Sequence, residues 1–151
     1  MKKFEILEHK ADLKIRVFGK DKKELFGNAM IGMQQALGPE IKNRKSKIKK
    51  KIKIKSNDLT SLLVDFLSEI NYLNEVNKEV YSDIKFTKFS STELEGEISG
   101  NKVESFGLII KGVTYHDLDI HQKPERSEDG RRKNILRPKD KTWEATVLFD
   151  I

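Results

Sequence analysis

The chain has 151 residues, 30 lysines and arginines against 24 acids, a net charge of +6 at pH 7, and no cysteine. That length fits one domain with its own core, and the missing cysteine excludes disulfides, thiolate nucleophiles and cysteine-bound zinc, in keeping with a reducing cytoplasm. No apolar run is long enough to span a bilayer or to form a signal-peptide core; the basic balance admits an acidic partner, nucleic acid among others, but charge alone is weak evidence and a lysine-rich soluble protein is the favoured reading. Hydrophobic and charged residues each make up 36% of the chain. The charge is above that of an ordinary domain, yet the apolar residues recur with structural periods, so the chain is expected to fold.

Residues 3–8 alternate as a short strand with Phe4 and Ile6 on one side. The stretch "DLKIRVF" is a second strand, Leu13, Ile15 and Val17 inward and Asp12, Lys14 and Arg16 outward, ended by Gly19. "DKKELFGNAMIGMQQALGPE" reads as the first helix: Asp21 as N-cap, Glu24 completing a capping box, a buried stripe of Leu25, Phe26, Ala29, Met30, Met33 and Leu37, and a stop at Gly38-Pro39. In "NRKSKIKKKIKIK" the lysine–isoleucine alternation predicts a strand with one lysine face. Asn57 is the expected cap of a second helix, whose Leu59, Leu62, Leu63, Phe66, Leu67, Ile70 and Leu73 hold a helical period. Residues 80–89 and 92–99 read as antiparallel strands joined at Ser90-Ser91, and residues 106–120 as one long strand. Residues 122–141, with two prolines and mixed charge, are an expected mobile loop. "KTWEATVLFDI" closes the chain as a strand, Trp143, Ala145, Val147, Phe149 and Ile151 on one face and Asp150 on the other. The order ββαβαββββ predicts a single α+β domain over 1–151, with a mixed, mostly antiparallel sheet and both helices packed on one face.

Asp12 opens its strand and Asp150 closes the last one, so antiparallel neighbours would bring the two together, with the Ile151 carboxylate nearby. Hard divalent cations favour such oxygen clusters, but two solvated surface aspartates satisfy the pattern as well. His116 and His121 are five apart and cannot share a strand face. His116 beside Asp117 is either a pH-sensitive hydrogen-bonding pair or a structural histidine. There is no G-x-S-x-G, and "GKDKKELFG" lacks the P-loop spacing. The Lys47–Lys55 face could track a phosphate backbone or protect a sheet edge against aggregation. Few aromatics interleave with it, so no base-stacking platform is visible.

Four segments in order, "EHKAD", "LLVDFLSEINYL", "IKGVTYHDLDI" and "WEATVLFDI", resemble the archease family. The resemblance covers most of the chain, leaving out the lysine-rich stretch and residues 122–141. It implies a small cytoplasmic protein that is not an enzyme but a cofactor of the RNA-splicing ligase. That ligase joins 2′,3′-cyclic phosphate or 3′-phosphate ends of tRNA exons to 5′-hydroxyl ends, using GTP, manganese and a histidine-linked GMP. The family speeds guanylylation, supports multiple turnover and broadens nucleotide use through an acidic, metal-binding tip. Carried over by motif, its functional aspartates fall on Asp12 and Asp150, its lysine on Lys111 and its first-motif histidine on His9, with the Ile151 carboxylate beside Asp150 and His116 a secondary candidate. The implied cofactor is a divalent ion (calcium, magnesium or manganese), and the implied partners are the ligase and, through it, tRNA. No membrane is involved, and there is room for a weak direct RNA contact. The usual D-H-T-A-D reads "EHKAD" here, with Glu8 for Asp and Lys10 for Thr, which adds positive charge two residues from Asp12.

A basic RNA-binding module or RNA chaperone using the Lys47–Lys55 face is the competing class; an independent metal-dependent hydrolase lacks an evident general base and nucleophile. An extension past Ile151 would move or mask its carboxylate. A C-terminal tag is therefore expected to impair ligase activation more than an N-terminal tag, and equal activation by both tagged forms would count against this placement.

Overall fold

A computed structural model describes residues 2–8, 12–45, 47–124 and 141–151. The described strands are β1 (Phe4–Glu8), β2 (Asp12–Gly19), β3 (Pro39–Ile41), β4 (Ile48–Lys55), β5 (Glu79–Phe89), β6 (Glu93–Phe106), β7 (Gly112–Thr114), β8 (Ile120–Pro124) and β9 (Lys141–Asp150). The helices are α1 (Lys22–Ala36) and α2 (Leu59–Asn77). The α+β expectation holds, with strands divided between two sheets rather than gathered in one. The first runs β1-β2-β9-β7, with β8 also on β9; the second runs β3-β6-β4, with β5 on the other side of β6. Every pairing among the described strands is antiparallel. Alternation along a strand reveals its buried face but not its neighbours, which is why the division was invisible in sequence.

The alternations resolve as expected. Leu13, Ile15 and Val17 of β2 and Ala145, Val147 and Phe149 of β9 are buried. Helix α1 packs on β1, β2 and β9 of the first sheet and β5 of the second; α2 packs on β4, β5 and β7. Each helix therefore touches both sheets, and the core lies where the four layers meet. The Asp21 carboxylate accepts the Glu24 backbone N–H at 2.8 Å, as the cap requires. Gly38 follows the helix at φ +57°, where a side chain would be strained.

Three local expectations are corrected. The α2 cap is Asp58, not Asn57: Asp58 is extended (φ −154°) and its carboxylate accepts the Ser61 N–H at 2.7 Å. That hydrogen bond also lowers the Asp58 pKa. The stretch 106–120 is not one strand: β6 ends at Phe106, and β7 and β8 pair with β9 on either side of a turn. Between Thr114↔Leu148 and Ile120↔Ala145, six steps on one side face three on β9, and the excess is looped out as that turn. Residues 122–124 of the expected loop belong to β8, and 141 opens β9; residues 125–140 lie outside the described residues.

Strand β6 is the spine of the second sheet, paired with β4 on one side and β5 on the other. At Gly100 the β5 backbone comes so near that an added Cβ would lie 1.8 Å from the Val80 carbonyl oxygen. Gly100→Ala must push backbone apart and is expected to destabilise the fold by roughly 3 kcal/mol, the upper end of ordinary overpacking. Chemical denaturation would show this as a lower midpoint; an unchanged midpoint would mean that β5 is free to move away.

Candidate functional site

The β2–β9 register sets Asp12 directly opposite Asp150, and on the other side of β9 the residue opposite Asp150 is Gly112. Residues directly opposite in an antiparallel pair point to the same face with Cβ atoms about 5 Å apart. That face is the outer one, because the neighbours Leu13 and Phe149 are in the core. The Lys111 backbone N–H donates to the Asp150 carbonyl at 2.7 Å, so Lys111 sits against the same strand end. Asp150 and Lys111 are exposed, Asp12 is half-buried, and Ile151 is half-buried against the core.

The turn between β7 and β8 belongs to this end of the sheet. The Leu118 N–H donates to the Tyr115 carbonyl at 3.1 Å, closing a four-residue turn. Asp117 holds φ +53° at its third position, where a type II turn needs a positive φ. The His116 N–H donates to Thr114 Oγ1 at 3.3 Å. His116 Nε2 lies 3.1 Å from Asp117 Oδ2, with both side chains well exposed. A pocket of about 120 Å³ is lined by Asp12, Lys14, His116, Asp117, Thr146 and Leu148.

The fold thus brings Asp12, Asp150, Lys111 and His116 to one end of the first sheet. His121 goes elsewhere, 3.1 Å from Asp119 and beside Glu144. His9 lies outside the described residues. Lys14, Asp117, Thr146 and Leu148 were missed as pocket residues. Lys14 and Thr146 could have been found from their shared outward parity with Asp12; Asp117 could not, because the turn that aims it was read as strand.

Two opposed carboxylates attract a hard cation, while Lys14 and Lys111 compete for the same charge. Among the described residues there is no group of three or more histidine, cysteine, aspartate or glutamate side chains placed to hold a metal. The donor set fits a divalent ion only if oxygens beyond these two side chains complete it, from the main chain of Ile151 or from another molecule.

Among the described strands β4 pairs with β6 alone, so the lysine face lies on an edge strand. Its charge is met across the ladder: Lys49 to Glu97 at 4.0 Å, Lys53 to Glu95 at 3.3 Å and Lys55 to Glu93 at 3.9 Å. Lys88 adds a 3.2 Å contact to Glu93, whose pKa is held below the usual range chiefly by that hydrogen bond. Lys50 points inward to the buried Glu79 at 3.4 Å, where the Tyr81 hydroxyl also donates at 2.8 Å. Burial, then Glu79, pushes the Tyr81 pKa up.

Comparison with known proteins adds the following. Residues 4–151 match the Archease protein family (MTH1598/TM1083). Protein archease of Methanosarcina acetivorans is 35% identical, with 99% of this chain and 97% of the relative covered. Protein archease of Pyrococcus furiosus is 30% identical with 100% of each chain covered. Among solved structures, protein 1598 of Methanobacterium thermoautotrophicum covers 100% of both chains at a TM-score of 0.62 and 22% identity. The crystal structure of an archease, possible chaperone, from Thermotoga maritima covers 96% of this chain and 94% of its own at a TM-score of 0.59 and 19% identity. The two structures support the fold.

Like charges directly opposite in a sheet cost a few tenths of a kcal/mol. Asp150→Asn is therefore expected to leave the fold intact and to raise stability by about that much at low salt, the gain shrinking as salt is added. Denaturation at two ionic strengths measures it, and a clear loss of stability would show that the Asp150 charge is held by a favourable partner.

Proposed function

The chain belongs to the archease family, and from that premise we propose that it is a protein cofactor, not an enzyme, that activates the GTP-dependent RNA ligase sealing tRNA exons. The observation that carries the reading is Asp12 opposite Asp150, with Lys111 bonded to the same strand end. A protein can accelerate a partner only by binding its reactive state more tightly than its resting state. The described surface offers an outward place where three carboxylates, two lysines and a histidine gather, at the end of β2 and β9.

In this proposal Asp12 and Asp150, with main-chain oxygens of Ile151, hold or orient a divalent ion, whether calcium, magnesium or manganese. Such an ion, when bound, neutralises phosphate charge as the ligase takes up GMP. Lys111 balances the carboxylates and fixes the end of β9 through its backbone. Lys14 beside Asp12 weakens cation binding by the free protein, so ligase oxygens complete the coordination. His116 and Asp117 form the wall of the pocket facing that ion. The protein meets tRNA through the ligase and works in the cytoplasm; among the described residues no helix is long and apolar enough to cross a membrane. The lysine face serves as a protected edge rather than as an RNA site, a reading supported by the glutamate opposite most of its outward lysines.

The test is a guanylylation time course of the cognate ligase with and without added protein. Asp12→Ala and Asp150→Ala are each expected to cut the acceleration at least tenfold, about 1.4 kcal/mol of barrier, while both variants stay folded. Full acceleration by both would remove the site assignment, and no acceleration by the wild-type protein would remove the function.

A further inference from the structure

Helix α2 breaks the charge pattern of the chain. At the average density of this protein, 30 lysines and arginines in 151 residues, a 19-residue helix would carry about four. It carries none, and its outward side holds Asp65, Glu69 and Glu75. Glu75 stands in the last turn, where the helix dipole disfavours an acid, so helix stability does not account for it. Among the described residues Glu69 and Glu75 enter no ion pair, in contrast to Glu93, Glu95 and Glu97 of β6, each of which meets a lysine.

Apolar side chains are exposed between these acids. Tyr72 and Val76 are one helical turn apart and 57% and 59% exposed, and Ile109 is 63% exposed. Ile109 belongs to the same area, because Asn71 Nδ2 donates to the Ile110 carbonyl at 2.9 Å and pins that segment to the helix. The next residue, Lys111, bonds to Asp150. These two hydrogen bonds tie α2, through the 109–111 segment, to the strand end that carries the paired aspartates.

We infer that this acidic and apolar face of α2 is a second docking surface, and that it seats the ligase beside the entrance to its active site. The inference rests on the reading that the protein activates the ligase. An exposed tyrosine with aliphatic neighbours is the composition of a protein-binding centre. The unpaired acids exclude RNA as the occupant, since phosphates would be repelled. An enzyme that binds RNA ends carries basic surface around its cleft, and only an acidic face of this otherwise basic chain complements it. The aspartate tip supplies activation and the helix supplies affinity and orientation.

The experiment titrates the full-length protein into the cognate ligase, reading the dissociation constant by calorimetry and guanylylation rate at each concentration. Two double variants, Tyr72→Ser with Val76→Ser at exposed positions and Glu69→Lys with Glu75→Lys at a half-buried and an exposed one, are checked for folding by thermal unfolding. Each is expected to raise the dissociation constant and the half-maximal concentration at least tenfold while reaching the wild-type rate at saturation. Asp150→Ala shows the opposite split, a lowered plateau at saturation with the dissociation constant raised less than in either double variant. Wild-type affinity in both double variants would overturn the docking surface and leave the activator reading standing. A wild-type protein that does not bind the ligase overturns both. Unchanged ligase binding with altered self-association in gel filtration, or with altered tRNA binding, assigns the face to another occupant and overturns the inference.

Discussion

Pairing between β2 and β9 is the contact on which the arrangement of this protein depends. It joins Asp12 to Asp150 and so closes nearly the whole chain into one loop. Bringing such distant segments together costs conformational entropy before any contact returns it. The return comes from Leu13, Ile15, Val17, Ala145, Val147 and Phe149, all buried. At roughly 2 kcal/mol for each fully buried aliphatic side chain, these outweigh the closure cost. They also fix the register, because a slip of one residue would put Lys14 and Arg16 into the core and turn their apolar neighbours outward. The opposition of Asp12 and Asp150 follows from that register. Its repulsion of a few tenths of a kcal/mol is too small to shift a pairing held by several buried side chains.

The second sheet is tied to the helices by polar rather than purely apolar contacts. Gln34 of α1 and Asn74 of α2 exchange two hydrogen bonds of 2.9 and 2.6 Å, and Gln34 also accepts the Tyr81 N–H of β5. Buried amides left without partners would be costly, so this closed set specifies one relative placement of α1, α2 and β5. Net charge conceals a comparable order on the surface. The β4 lysines are answered by β6 glutamates, and the acids of α2 are not, so the free charge of the molecule is distributed unlike its composition.

Much of this was legible in sequence, and the reasons separate cleanly. The buried faces of β2, β9, α1 and α2 follow from periods of two and 3.6, which local geometry imposes. The meeting of Asp12 and Asp150 followed from parity together with an assumed antiparallel neighbour. Asp58 displaced Asn57 as the cap because both residue types suit the position, and only the phase of the helix beginning at Leu59 chooses between them. The three-residue β3 carries too short a pattern to register, and its existence depends on β6 lying alongside. The turn bearing His116 and Asp117 interrupts a stretch whose composition suits a strand throughout. Its cause is the mismatch of six steps against three along β9, a tertiary fact.

The tip explains why an activator of this design would be inert until docked. In water two unit charges 4 Å apart interact by only about 1 kcal/mol, and Lys14 and Lys111 offset part of the carboxylate field. In the proposed role a free tip of this kind would hold a divalent ion weakly. Docking on the proposed partner would exclude water, lower the local dielectric and add oxygens, each of which would strengthen the same carboxylates as ligands. Binding of ion and partner must then be coupled reciprocally: whatever factor docking adds to ion affinity, the ion adds to docking. A weak site in the free protein is thus what allows the ion to report on the partner, whereas a tight one would be filled in both states and would contribute nothing to the difference between them.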